Sequence, residues 1–151
     1  MNRLKALFIA LCLAAPGTVH AESAADSRTI AAIEAVAFDY VDGQLEGDPE
    51  RVARSLHPDL AKRAVRQAGE GADEVYPLRR MTRDELVALT RQGVLKTPRE
   101  RWSRSVKVLD VYGDAAVARV ETPWFVDYFH LGRFGDRWLI VNALWYPKPS
   151  R

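Results

Sequence analysis

Trp124 to Tyr146 forms two runs rich in aromatic and β-branched residues around Gly135-Asp136, a dipeptide suited to a two-residue hairpin turn. Such a turn sets Arg133 opposite Trp138, Leu131 opposite Ile140, Phe129 opposite Asn142 and Asp127 opposite Leu144, all on one face. The other face then carries Trp124, Val126, Tyr128, His130, Leu139, Val141, Ala143 and Trp145. Side chains on both faces are too apolar to be left in water, so each needs cover. Helices of the same chain can cover one face. A second copy of the chain is the simplest cover for the other.

Residues 1–21 have the pattern of an export leader: Arg3 and Lys5, an apolar run from Ala6 to Ala15 too short to span a bilayer, and a small-x-small end at Val19-His20-Ala21. The single cysteine, Cys12, lies in that run, and Leu11 before it is too bulky for a lipid-attachment motif. The expected mature protein is a periplasmic or secreted domain from residue 22 to 151, without a membrane anchor and of a length that supports one core. Loss of Arg3 and Lys5 leaves 20 basic residues against 20 acidic ones. That balance disfavours nucleic acid as a partner. The charges are nonetheless segregated: Glu22–Glu50 holds eight acidic residues and one basic, Arg51–Arg104 thirteen basic and seven acidic. Either the segments attract each other or the basic stretch draws an anionic ligand.

Asp26 or Ser27 can cap a first helix whose inner side carries Ile30, Ile33, Ala37, Tyr40, Val41 and Gln44, with Asp39, Asp42 and Glu46 opposite. Gly47 ends it. Asp48-Pro49 opens a second helix, which His57-Pro58 stops. Gln67–Tyr76 has the composition of a loop. Thr82-Arg83-Asp84-Glu85 is a capping box for a third helix, stopped at Gly93. Val106–Val120 then gives a hairpin around Gly113-Asp114 before the terminal one. Helices first and antiparallel strands afterwards predict an α+β domain in which a curved sheet wraps over helices.

This order, together with Leu56-His57-Pro58-Asp59, Val106–Ala116, Asp127-Tyr128-Phe129-His130-Leu131 and Gly135–Asn142, resembles the nuclear transport factor 2-like superfamily, and within it the polyketide-cyclase-like (SnoaL-like) and lumazine-binding-like families. The resemblance covers almost all of residues 22–151. It implies a cystatin-like cone of three N-terminal helices on a curved, mixed, mainly antiparallel sheet. It also implies a conical pocket between the first helix and the concave sheet, and a homodimer formed through the outer sheet face. The superfamily's carboxylate on the penultimate strand corresponds to Asp127, and the helical position that offers a hydroxyl to the pocket to Tyr40. The paired carboxylates of its epoxide hydrolases have no match. Isomerases, dehydratases, hydrolases, binding proteins and dimerisation modules share this scaffold, so the fold alone does not choose among them.

Asp127 lies among Phe125, Phe129, Leu131 and Leu144 and is the candidate general base; the alternative is a structural acceptor for Asn142, Tyr40 or an arginine. Tyr40, Asn142, Phe129, Trp138 and His57 are the candidate ligand-binding residues. For His57 the competing role is a bond to the end of the second helix, and for Trp138 it is core packing. His130 should point away from Asp127. No metal-ligand spacing, phosphate loop or Ser-His-Asp order occurs, and no metal or cofactor is expected. The expected function is binding of a small apolar or aromatic molecule. The alternatives are a cofactor-free lyase or isomerase based on Asp127, and a module that only dimerises.

Overall fold

The computed structural model describes residues 26–65 and 77–148. The leader expected over residues 1–21 and the loop expected over Gln67–Tyr76 lie outside the described residues. Helix α1 (Ser27–Glu46) is followed by α2 (Pro49–Ser55), β1 (Leu56–Ala64), β2 (Arg79–Met81), α3 (Arg83–Arg91), a single 3-10 turn, and then β3 (Ser105–Tyr112), β4 (Ala115–Glu121), β5 (Phe125–Phe134) and β6 (Arg137–Pro147). The six strands form one sheet in the order β2-β1-β6-β5-β4-β3. Only β1 and β6 pair in parallel. Three helices on this mixed sheet make the α+β cone.

Local chemistry sets the helix ends. Asp26 caps α1 by accepting from the Thr29 amide at 2.7 Å, and Asp48 caps α2 by accepting from that of Arg51 at 2.9 Å. Gly47, at φ 75°, takes the left-handed turn between these helices. The capping box of α3 is complete, with Thr82 and Glu85 each satisfying the other's backbone N–H. Gly43 lets α1 and α2 approach: a β-carbon there would stand 2.8 Å from Val52 Cγ2 and 3.0 Å from its backbone nitrogen.

The core lies between α1 and the concave sheet. Ile33, Ala37, Tyr40 and Val41 pack from the helix against Ala118, Val120, Phe129, Leu131 and Ile140 of the strands. Asp42 departs from the expected solvent side of α1. It is buried beneath Arg104, which donates to both of its oxygens at 2.6 and 3.0 Å. The neighbouring acids Asp39 and Glu46 are held by Arg51 at 2.8 and 2.9 Å, with Arg54 and Arg99 beyond them. The charge segregation is thus used in part to clamp α1 to α2 and to the chain before β3.

Both hairpins turn where expected, with Gly113 at φ 56° and Gly135 at φ 62°. The terminal register departs from a regular ladder in one place. Leu131 pairs with Ile140, but His130 pairs with Asn142, so β6 carries one extra residue at Val141. Beyond this bulge every side chain of β6 changes face. Phe129 therefore opposes Ala143 instead of Asn142, and Asp127 opposes Trp145 instead of Leu144. Asn142 and Leu144 face outward and are exposed, while Ala143 is buried.

Candidate functional site

Three polar side chains meet inside the cone. Tyr40 comes from the inner side of α1, Asp127 from the middle of β5 and Lys62 from β1. The Tyr40 hydroxyl donates to Asp127 Oδ2 at 2.9 Å. Lys62 Nζ donates to Asp127 Oδ1 at 2.6 Å and to Tyr40 Oη at 2.7 Å, closing a ring of three hydrogen bonds. Tyr40 and Asp127 have no exposed surface, and the Lys62 side chain retains 6 %. A contact this short between ammonium and carboxylate is a charge-assisted hydrogen bond, which compensates two buried charges that would be costly alone.

The environment shifts the titration of these groups. Burial, and then the adjacent Asp127 carboxylate, raise the Tyr40 phenol well above its ordinary 10. It stays a neutral donor. Burial lowers the Lys62 ammonium from its ordinary 10.5, opposed by the attraction and hydrogen bond of Asp127.

The triad closes one end of a cavity of about 240 Å³. Leu86, Leu89, Val94 and Leu95 of α3 and the turn after it form one wall; Phe125 and Trp145 of the terminal hairpin form another. Met81 and Arg79 of β2 complete it, and Gln44 and Thr90 are its neutral polar members. Gln44 spends its amide nitrogen on the Tyr40 carbonyl oxygen at 3.2 Å, and Thr90 its hydroxyl hydrogen on that of Leu86 at 2.9 Å. The Lys62 ammonium lies 5.4 Å from the centre of the Trp145 ring and the Arg79 guanidinium 5.7 Å, both within cation-π range.

Of the residues singled out from the sequence, Asp127 and Tyr40 lie at this cavity and four do not. Asn142 is turned outward by the bulge. Phe129 is buried behind the triad, its ring edge-on to Tyr40 with centroids 4.8 Å apart. Trp138 belongs to the core near the hairpin turn, with Arg133 above its ring. His57 is not at a helix end: α2 stops at Ser55, and His57 begins β1, where its Nδ1 accepts from the Asp59 amide at 3.1 Å and its ring packs against Phe134. Conversely, Lys62, Arg79 and Trp145 line the cavity without having been expected there. Lys62 had a signal. Leu60, Lys62 and Ala64 alternate as buried positions of a strand, and a carboxylate enclosed by apolar residues calls for a buried cation.

Among the described residues no group of three or more His, Cys, Asp or Glu is arranged to hold a metal ion. None of their helices is long and apolar enough to cross a membrane.

Solved structures share this fold. A crystal structure of an NTF2-like protein of unknown function from Silicibacter pomeroyi DSS-3 superposes with a TM-score of 0.66 at 22 % identity, over 81 % of this chain and 98 % of the other. An NTF2-like protein of unknown function from Shewanella baltica OS155 gives 0.69 at 19 % identity, over 85 % and 100 %. A ketosteroid isomerase-like protein from Erwinia carotovora atroseptica gives 0.56 at 17 % identity, over 83 % and 100 %. No curated protein matches the chain significantly. The sequence model of the family described as "Putative lumazine-binding" matches residues 28–146, spanning α1 to β6 and all three members of the triad, and the chain belongs to that family within the NTF2-like fold.

Proposed function

We propose that the chain is an exported binding protein for a small, largely apolar or aromatic molecule, held in the cavity between α1, α3 and the concave sheet. The observation that carries this reading is the buried Tyr40–Lys62–Asp127 triad at the end of a largely apolar cavity. An apolar enclosure with a few converging polar groups is the usual form of a small-molecule site. A purely structural core would gain little from enclosing an ion pair, since a hydrophobic replacement of similar volume is often as stable. The leader-like residues 1–21 support export, and the exposed Trp124, Tyr128 and Leu144 on the outer face of the terminal hairpin support pairing of two copies there.

Proton transfer by Asp127 is the less favoured reading. Both of its oxygens already accept a hydrogen bond, and the residue has no exposed surface. A general base must reach the proton it removes. Lys62 and Tyr40 would have to release the carboxylate first.

Native mass spectrometry of protein isolated from its own host tests the binding reading. The expected spectrum contains a small molecule retained one per chain, lost in Leu89→Trp, which fills the cavity. If the wild type is ligand-free and neither it nor Leu89→Trp is thermally stabilised by any member of a metabolite library, the cavity is not a binding site. The dimerisation module then remains.

A further inference from the structure

We propose that the occupant of this cavity is a small organic acid, an apolar body carrying one carboxylate that seats against the Lys62 ammonium and the Arg79 guanidinium. This rests on the reading of the cavity as a ligand site and adds the charge and polarity of its occupant.

The triad contains an acid, yet it presents a donor. Asp127 is fully buried and both of its oxygens are taken. The Tyr40 hydroxyl gives its hydrogen to Asp127, and its oxygen accepts from Lys62. Asp127 and Tyr40 have no exposed surface, whereas Lys62 keeps some, and among the described residues only two of the three N–H donors of its ammonium are used. The triad therefore offers a ligand one charged N–H and no carboxylate oxygen.

Arg79 supplies the second cation. On the antiparallel β1–β2 pair, Lys62 opposes Met81 and Ala64 opposes Arg79. Lys62 and Arg79 are thus diagonal neighbours on the concave face, within reach of each other's long side chains. Both lie against Trp145. Among the described residues Arg79 has no carboxylate partner, whereas the positive charge of Lys62 is balanced by Asp127. Among the described residues the site therefore carries one net positive charge, which one ligand carboxylate neutralises. Guanidinium and ammonium together suit a carboxylate, whose two oxygens can each take a donor.

The remaining walls set the size of the body. Leu86, Leu89, Val94 and Met81 offer only apolar surface. At about 240 Å³ the cavity is smaller than the roughly 300–1,000 Å³ of a drug-sized site, which favours a mono- or bicyclic acid.

The test uses matched acids and amides with the protein of residues 22–151: benzoate against benzamide, and 2-naphthoate against 2-naphthamide, read by calorimetry. At least one acid is expected to bind about tenfold tighter than its amide, a preference that shrinks with added salt and is abolished in Arg79→Gln. The double variant Lys62→Met/Asp127→Asn, which removes both buried charges together and leaves Arg79, should keep only part of the preference while still unfolding cooperatively. If the amides bind as tightly as the acids, or Arg79→Gln leaves the preference unchanged, the proposal of an acidic ligand is wrong although the cavity still binds. If neither series binds, the proposal also fails, and the binding reading falls with it only when native mass spectrometry finds no retained molecule.

Discussion

Lys62 Nζ and Asp127 Oδ1 meet at 2.6 Å with both side chains almost fully buried, so neither residue can be altered alone without stranding the other. Breaking a buried ion pair from one side costs about 3–5 kcal/mol, whereas removing both charges is often close to neutral. Lys62→Met and Asp127→Asn should each lose an amount of that order in urea unfolding. The double variant should recover more than half of the summed loss. Additive losses would mean that the two charges do not depend on each other.

The Asp127→Asn variant should also acquire a pH dependence of known sign. Burial already lowers the ammonium of Lys62 below 10.5, and without the Asp127 carboxylate the charge attraction that opposes this is gone. Between its folded value and 10.5 the native protein then binds fewer protons than the unfolded chain, so stability rises with pH. The deficit of this variant relative to wild type should be smaller at pH 9.5 than at pH 7. A constant deficit would show that Lys62 stays charged without its partner.

Tyr40→Phe keeps the ring that packs edge-on to Phe129 and removes only the hydroxyl between Lys62 and Asp127. A loss of about 1–3 kcal/mol is expected from the two hydrogen bonds and the groups left unsatisfied. The melting temperature should fall while the far-ultraviolet spectrum is unchanged. An unchanged melting temperature would remove the hydroxyl from the account of the triad.

Acid should loosen α1 from its neighbours. Asp39 is held below its ordinary value although burial opposes this, because hydrogen bonds from Arg54 and Arg51 prevail. Glu46 is held low by its hydrogen bond from Arg99, against burial and with help from Arg51. Groups with depressed folded values contribute stability that is complete above their unfolded values, 3.8 and 4.5, and is lost as pH falls through the folded ones. Replacing Arg51 by Met should flatten the decline in melting temperature below about pH 5. An identical decline in wild type and variant would assign it to other carboxylates.

Tyr128→Glu with Leu144→Lys tests the proposed pairing of two copies. These residues oppose each other across β5 and β6, and each is 46 % exposed. Light scattering should show a dimer for the wild type and a monomer for the double variant. A dimer that survives both changes uses another surface.

Much of this architecture could be read from local chemistry. Asp26, Asp48 and the Thr82–Glu85 box mark helix starts, Gly47 and Gly93 mark stops, and Gly113 and Gly135 mark turns, because each signal depends only on its immediate neighbours. The site was less legible because it depends on pairing between distant segments. β1 offers only Leu60, Lys62 and Ala64 as an inward alternation, and its strand character comes from its parallel place beside β6. The bulge at Val141 has no local signature, and without it Asn142 and Trp145 are assigned to each other's faces. Asp127 and Tyr40 were legible because they precede the bulge or lie outside the hairpin.

The place of β6 between β1 and β5 also bears on the order in which the protein acquires its shape. The strands β3 to β6 form an antiparallel run whose neighbours are adjacent in sequence, so their contacts close over short loops. By contrast, the seam between β1 and β6 joins Leu56 to Ile140 and Lys62 to Ala143, and closing a long stretch of chain is entropically slow. Lys62 and Arg79 come from one side of that seam, Asp127 and Trp145 from the other. A ligand held by both sides would therefore bridge the strand pair that needs the longest closure within the sheet, and its binding would act as a latch on that seam: occupancy should slow unfolding more than it speeds folding.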